Sequence, residues 1–271
     1  VASTRIPAST TVAPSTSSAP PSTAPTTAAP ITAATPAPST AAPAPAPAPV
    51  VPAGGSRVVV IDPGHNGGTA GHSAELNRLV DIGVGVKPCN NTGTQTNDGY
   101  PEHAFNWDVA IRVAAHLRTA GVTVILTHPD DNGWGPCSVD RAAIANRAHA
   151  LAAVSIHADG GPPNGRGFHV IEPALLAGLT DDIYSASARL GTAVHDAVAK
   201  GTPMPPSTYA GHDGYQVRSD LGGLDRADVP AVFIECGNMR NATDASLLKS
   251  GAFRQQLADA IANGILRFTG T

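Results

Sequence analysis

The chain has 271 residues, with 17 Lys and Arg against 21 Asp and Glu, a formal charge of −4 and only 4% aromatic residues. This length allows one good-sized domain, or one domain with an extension. The slightly acidic balance argues against a nucleic-acid partner, which normally requires a basic surface. No run of 18 or more apolar residues occurs, so no membrane span is predicted.

Residues 1–56 differ in composition from the rest of the chain. The first 55 hold 13 of the 25 prolines, one charged residue (Arg5) and no aromatic residue. So little apolar surface cannot offset an ordering cost of roughly 1–2 kcal/mol per residue. We therefore predict a disordered linker over 1–56, with a proline-rich partner ligand or a glycosylated stalk as alternatives. Such a tract is typical of exported proteins, so we expect a location in the periplasm or cell wall.

After this segment, short apolar runs alternate with amphipathic stretches over a predicted domain at 57–271. Strands are predicted over 57–61, 122–126, 152–156, 167–171 and 232–234, and helices over 102–120, 138–150, 181–199 and 251–268. Continuous apolar strands indicate a sheet covered on both faces. Sequential β-α-β units indicate mostly parallel strands. The predicted fold class is therefore α/β, a single domain with a mostly parallel twisted sheet and helices on both faces.

Two long connections interrupt this alternation. Residues 66–101 join the first strand to the first helix, and residues 201–220 form a second stretch rich in Gly, Pro and Tyr. Connections of this length inside a compact domain are usually functional loops or lids.

Four acid or imidazole side chains are placed to meet at one edge of this sheet. His65 follows the first strand and His157 the third, while Glu235 follows the last strand and Glu102 opens the first helix. In an open α/β sheet the ligand site lies outside the carboxyl ends of the strands. Two imidazoles and one carboxylate are the usual protein ligands of a hydrolytic zinc, and a second carboxylate can serve as general base.

The motifs that carry these side chains resemble a known family. In chain order they are Asp62-Pro63-Gly64-His65-Asn66-Gly67, Pro101-Glu102, the helix Asp140-Arg141-Ala142-Ala143-Ile144-Ala145-Asn146, Ser155-Ile156-His157-Ala158-Asp159 and Glu235-Cys236-Gly237. Together they resemble the zinc-dependent N-acetylmuramoyl-L-alanine amidases, the type 3 amidase family, over about residues 57–268. The composition of the linker is similar to that of actinobacterial members that consist of a catalytic domain only.

The resemblance implies one zinc ion held by His65, Glu102 and His157, with Glu235 as the catalytic base. The implied reaction is hydrolysis of the amide between the lactyl group of N-acetylmuramic acid and the L-alanine of the stem peptide. The substrate partner would be peptidoglycan or a muropeptide, and we expect a monomer. Access to the site would be constitutive or controlled by residues 66–101.

Supporting roles are expected for several further residues. Asp62 is a candidate to hold an imidazole in one tautomer, and Ser155 is a second candidate. His212 could line the substrate cleft. Arg240 and Arg218 could pair with a peptide carboxylate, the alternative being that they are simply solvated.

Three cysteines allow one disulfide and one leftover thiol. Cys89 and Cys137 both lie in loops rich in Gly and Pro, where the backbone can adjust, whereas Cys236 follows a buried strand. The pair Cys89–Cys137 is therefore favoured, with three free thiols as the alternative.

Two other functions stay open at this point. A zinc peptidase that cuts within the stem peptide would use the same chemistry. A wall-binding or regulatory module would keep the fold without catalysis, but such a module has no need of a carboxylate that activates water.

Overall fold

The computed structural model describes residues 57–271, so the predicted linker over 1–56 lies outside the described residues. Its elements in chain order are β1 (Val58–Pro63), α1 (Ser73–Leu76), β2 (Leu79–Asp81), β3 (Val86–Pro88), α2 (Glu102–Thr119), β4 (Thr123–Leu126), α3 (Ser138–Arg147), β5 (Ala152–Asp159), β6 (His169–Pro173), α4 (Tyr184–Gly201), β7 (Tyr215–Arg218), α5 (Gly222–Asp225), β8 (Ala231–Asn238), α6 (Ala242–Lys249) and α7 (Gly251–Thr269). The division at residue 57 stays a prediction.

Six of these strands form one sheet in the order β4-β1-β5-β8-β6-β7. All neighbours are parallel except β6 and β8, which run antiparallel. The predicted α/β class with a mostly parallel sheet is therefore confirmed. The short strands β2 and β3 form a separate antiparallel hairpin.

Alternate residues of β1 are buried on opposite faces of the sheet. Val59 and Ile61 join the main hydrophobic core, which α2, α4 and α7 cover. Val58 and Val60 pack on the other face with Ala145 of α3. Burial on both faces explains why this strand is an uninterrupted apolar run in the sequence.

Helix α2 presents one apolar stripe to the sheet. Phe105, Val109, Val113 and Leu117 recur every four residues and are fully buried. The helix starts at Glu102 and ends at Thr119, within one residue of the predicted bounds. Because α2 follows β1 in a parallel unit, its first residue lies at the carboxyl ends of the strands.

The two long connections contain structure that the sequence analysis did not predict. Residues 66–101 include the hairpin of β2 and β3, and residues 201–220 include the edge strand β7. These strands have three or four residues and are partly exposed, so they show no apolar run. Among the described residues, no helix is long and apolar enough to cross a membrane.

Candidate active site

Three side chains meet at the carboxyl ends of β1 and β5. His65 Nε2 lies 3.1 Å from Glu102 Oε1, and His157 Nδ1 lies 3.0 Å from the same oxygen. One ligand atom from each of the three residues lies within 4.8 Å of the others. All three side chains are largely shielded from solvent. The structure thus brings together the residues that the motifs identified as zinc ligands.

The proton on His65 is fixed by a backbone carbonyl. His65 Nδ1 lies 3.0 Å from the carbonyl oxygen of Asn91. Because a carbonyl only accepts hydrogen bonds, Nδ1 carries the proton of the neutral ring. The lone pair on Nε2 therefore points towards Glu102.

The proton on His157 is fixed by a chain of three buried groups. The Ser155 hydroxyl donates to Asp62 Oδ2 at 2.5 Å, so its oxygen accepts from His157 Nε2 at 3.1 Å. The lone pair on His157 Nδ1 is then directed at Glu102. The contact to the imidazole is made by Ser155, and Asp62 acts through that hydroxyl rather than directly.

Asp62 is held ionised by its partners. Arg141 Nη1 donates to Asp62 Oδ1 at 2.6 Å, and Thr127 donates to the same oxygen. Burial alone would raise the pKa of Asp62, but Arg141 and the hydroxyls of Ser155 and Thr127 hold this pKa well below its ordinary value. Arg141 belongs to the helix motif of the sequence analysis, which assigned it no role.

The donor set fits a divalent cation. Two imidazole lone pairs and one carboxylate oxygen face a common point, an arrangement of acceptors that repel one another unless a cation lies between them. Two nitrogens and one oxygen are also the ligand types that a catalytic zinc takes. Burial raises the pKa of Glu102, but in the absence of a metal the positive charge of protonated His65 and His157 holds this pKa well below the usual range, so the carboxylate stays charged. A bound divalent cation would take the place of those protons.

Two glycines leave room for these rings. A Cβ on Gly64 would lie 2.2 Å from Cε1 of His157. Gly93 has a φ of +74°, and a Cβ there would lie 2.7 Å from both Glu102 Oε2 and His65 Cδ2. Neither position can carry a side chain without moving a candidate ligand.

Further residues orient the Glu102 carboxylate, and sequence reasoning missed them. Asn106 Nδ2 donates to Glu102 Oε1 at 3.3 Å and to the Gly64 carbonyl at 3.1 Å. The backbone N–H of Thr94 donates to Oε2 at 2.9 Å. The four-residue spacing of Glu102 and Asn106 on one helix is the signal that would have identified Asn106.

Glu235 lies next to this cluster. It is in register with His157 across the parallel strands β5 and β8. Its Oε2 atom is buried and has no hydrogen-bond partner among the described residues. Burial, followed by the charges of Glu102 and Asp159, raises the pKa of Glu235 well above the usual value for a carboxyl group.

One cavity of about 560 Å³ connects these groups. His65, Glu102, His157 and Glu235 line it, and Arg218 lines it as well. This volume lies within the range of small-molecule sites.

Arg218 is fixed in the cavity wall by an ion-pair network. Its Nε and Nη2 donate to the two carboxylate oxygens of Asp220 at 2.7 and 2.8 Å. Lys87, from strand β3, pairs with the same carboxylate. Lys87 and Arg218 therefore share the carboxylate of Asp220.

The two residues predicted to bind substrate lie outside the cavity lining. The His212 side chain is 92% exposed and pairs with Asp213. Arg240 donates to the carbonyl of Gln95 at 3.3 Å. A substrate role for either residue stays a prediction.

The cysteines adopt the favoured arrangement. Cys89 and Cys137 form a disulfide, and Cys236 is a buried free thiol. The disulfide joins the connection at 66–101 to the start of α3.

The fold and the site together are typical of a metal-dependent hydrolase, with its ligands at the carboxyl ends of parallel strands. A family model described as N-acetylmuramoyl-L-alanine amidase matches residues 59–267. The chain belongs to this family of cell-wall hydrolases, so the recognition made from the motifs is confirmed.

Individual relatives agree with this assignment. The chain is 41% identical over 215 residues to the N-acetylmuramoyl-L-alanine amidase Rv3717 of Mycobacterium tuberculosis, a match that covers 79% of this chain and 87% of that protein. The crystal structure of the amidase Ami1 from Mycobacterium smegmatis matches with a TM-score of 0.74 at 45% identity, covering 79% of this chain and 96% of that one. The apo form of Ami1 from Mycobacterium abscessus gives 0.73 at 39% identity, with 78% and 98% covered.

Proposed function

We propose that this enzyme uses one zinc ion to hydrolyse the amide between the lactyl group of N-acetylmuramic acid and L-alanine, in peptidoglycan or in muropeptides. The observation that carries the proposal is the meeting of His65, Glu102 and His157 within 4.8 Å. The Glu235 carboxyl group lines the same cavity. Family membership supports the choice of this amide.

His65 Nε2, Glu102 Oε1 and His157 Nδ1 would hold the zinc. When bound, the ion polarises a carbonyl group and makes water acidic near neutral pH. The hydrogen bonds from His65 to Asn91 and from His157 to Ser155 keep both ligand nitrogens free of protons.

Glu235 is the proposed general base and acid. Its raised pKa suits a carboxyl group that accepts a proton from the attacking water and then delivers it to the nitrogen of the leaving amine. A carboxyl with an ordinary pKa would accept that proton less readily at neutral pH.

Arg218 is the best-placed cation for a carboxylate of the stem peptide. It lines the cavity and its guanidinium is oriented by Asp220. His212 and Arg240 do not line the cavity.

The enzyme is proposed to be exported and to act in the periplasm or cell wall as a monomer. The disulfide between Cys89 and Cys137 is typical of an oxidising compartment. The proline-rich composition of residues 1–56 agrees with export.

The test is product analysis on a defined muropeptide with the Glu235→Gln variant. Loss of the base should lower kcat by about 10²–10⁴-fold while the zinc content stays that of the wild type. Glu172→Gln, the same change on the neighbouring strand β6 and outside the cavity lining, is the matched control and should keep its activity.

The products and the metal dependence complete this test. Mass spectrometry should show an intact stem peptide released from the sugar, and a chelator should abolish turnover until zinc is restored. A peptide cut internally would instead identify a peptidase, and near-wild-type rates in Glu235→Gln would remove the proposed base.

A further inference from the structure

His169 lies beside Glu235 and has no role in the site as described so far. The two residues are directly paired across the antiparallel strands β6 and β8. Directly opposed residues project from the same face of a sheet, with Cβ atoms about 4.5–5.5 Å apart. Since His157 is paired with Glu235 on the other side, one row of three titratable side chains crosses β5, β8 and β6.

Two adjacent members of this row carry buried polar atoms without partners. Among residues 57–271, seven buried side-chain N or O atoms have no hydrogen-bond partner, and two of them are His169 Nδ1 and Glu235 Oε2. Each unmet buried group costs roughly 1–3 kcal/mol, so a pair of them at the proposed base calls for a functional explanation.

The imidazole of His169 is uncharged at neutral pH, and it can therefore donate one hydrogen bond. The residue is 2% exposed. Burial lowers the pKa of His169 to about 4, which outweighs the opposing charge of Asp159. At neutral pH the ring is therefore uncharged, with one N–H and one lone pair.

The two oxygens of Glu235 have different surroundings. The side chain lines the cavity, while Oε2 is closed off from solvent and unpartnered. Glu235 and His169 project from the same face of adjacent strands. Glu235 Oε2 can accept a hydrogen bond, and the unused Nδ1 of His169 can donate one. The two atoms are not in hydrogen-bond contact in this structure, but catalytic hydrogen bonds often tighten only when substrate is bound.

We propose that His169 is a positioning residue for Glu235. Its Nδ1–H hydrogen-bonds Glu235 Oε2 through one buried water, or directly once substrate binding brings the two atoms together, and so directs the other carboxylate oxygen into the cavity. A carboxylate held in this way transfers protons from a fixed position, which matters because small misplacements of a reacting group slow catalysis severely. The inference rests on the proposed role of Glu235 as base.

Three variants of His169 separate the hydrogen bond from the packing. His169→Asn keeps an N–H donor close to the position of Nδ1, His169→Gln places one nearer Nε2, and His169→Phe keeps a ring without any donor. We expect His169→Phe to lower kcat by about 10–100-fold, with KM within about twofold and unchanged zinc content. His169→Asn should recover to within about fivefold of wild type, and His169→Gln should stay close to the Phe variant.

His195 provides the matched control. It is 9% exposed, and its Nε2 lies 3.0 Å from the carbonyl of Asp213, outside the cavity lining. His195→Phe also removes a buried imidazole, so it should lower thermal stability while kcat stays within about twofold.

The proposal is overturned by a wild-type kcat in His169→Phe, by equal losses in the Asn and Phe variants, or by an equal loss in His195→Phe. If the Phe variant does not fold, the comparison of Asn with Gln still decides, because only Asn restores a donor at Nδ1. An active His169→Phe beside an inactive Glu235→Gln would refute the positioning role alone. An active Glu235→Gln would refute the base and with it this inference.

Discussion

The hydroxyl of Ser155 connects the buried ion pair of Asp62 and Arg141 to the imidazole of His157. It donates to Asp62 and accepts from His157 Nε2. The charge on Asp62 thus reaches the ring through two hydrogen bonds that share one hydroxyl. This arrangement keeps the lone pair on Nδ1 available for a metal. Outer contacts of this kind orient a ligand and raise its basicity.

Ser155→Ala should therefore weaken zinc binding by about 10–100-fold, because the tautomer of His157 is no longer fixed. Competition with a coloured chelator measures this affinity directly. Ser187→Ala is the matched control, since it removes another buried hydroxyl, one that accepts from the Ala231 N–H. It should reduce stability and leave zinc affinity unchanged. Equal zinc affinity in Ser155→Ala and wild type would contradict this role for the hydroxyl.

Ionisation of Glu172, on strand β6, makes the stability of the protein depend on pH. Burial raises the pKa of Glu172 to about 7, and a Cβ on Gly191 of α4 would touch its carboxyl group. Between pH 4.5 and 7 the folded state holds this proton more tightly than the unfolded chain. This contribution to stability is therefore present at low pH and is lost as pH rises through the folded-state pKa.

Glu172→Gln should abolish that loss, because the amide cannot ionise. The free energy of unfolding of the variant, relative to that of the wild type, should rise by about 1–2 kcal/mol from pH 4.5 to pH 8. This value is discounted for the partial exposure of the carboxyl group. Urea unfolding at a series of pH values measures the difference. The exposed Glu75 supplies the control, since Glu75→Gln should show no change above pH 6. If the difference in unfolding free energy between Glu172→Gln and the wild type were the same from pH 4.5 to pH 8, it would contradict the raised pKa of Glu172.

Among the helices and strands, those with a long periodic or continuous apolar pattern can be predicted from the sequence, and the short ones cannot. Helix α2 was predicted within one residue because its apolar stripe continues for four turns. The hairpin of β2 and β3 and the edge strand β7 have three or four residues each and bury little. Their formation depends on contacts with distant segments, such as the pairing of Lys87 with Asp220, which no local pattern reports.

The disulfide is the covalent link between the hairpin segment and α3. Its two cysteines are 48 residues apart, so in the chain-entropy model the bond contributes roughly 4 kcal/mol by restricting the unfolded chain. The double variant Cys89→Ala with Cys137→Ala should lose about this much stability in urea unfolding. Reduced wild-type protein should lose a similar amount.

Cys236→Ala controls for the loss of a thiol as such. It keeps the disulfide, so its stability should still fall on reduction, whereas the double variant should no longer respond to a reductant. A reductant response that persists in the double variant would show that the effect does not come from this bond.

At the scale of the whole molecule, the site is a consequence of topology. His65, Glu102, His157 and Glu235 are distant in the chain, yet each lies at or near the carboxyl ends of parallel strands. That rule made their meeting predictable from sequence. It could not predict Asn106, Ser155 as the direct contact, or the cavity position of Arg218, because those depend on which way side chains point after the helices and strands have packed.

The same topology predicts that residues 57–271 are sufficient for folding and catalysis. They contain every strand of the six-stranded sheet and the main core that α2, α4 and α7 cover. A chain that begins at residue 57 should keep its melting temperature within about 2 °C and its kcat on a soluble muropeptide within about twofold. A chain that begins at residue 64 lacks β1, which pairs with both β4 and β5, and it should not fold. Loss of many degrees on removing residues 1–56 would instead show that they stabilise the catalytic domain.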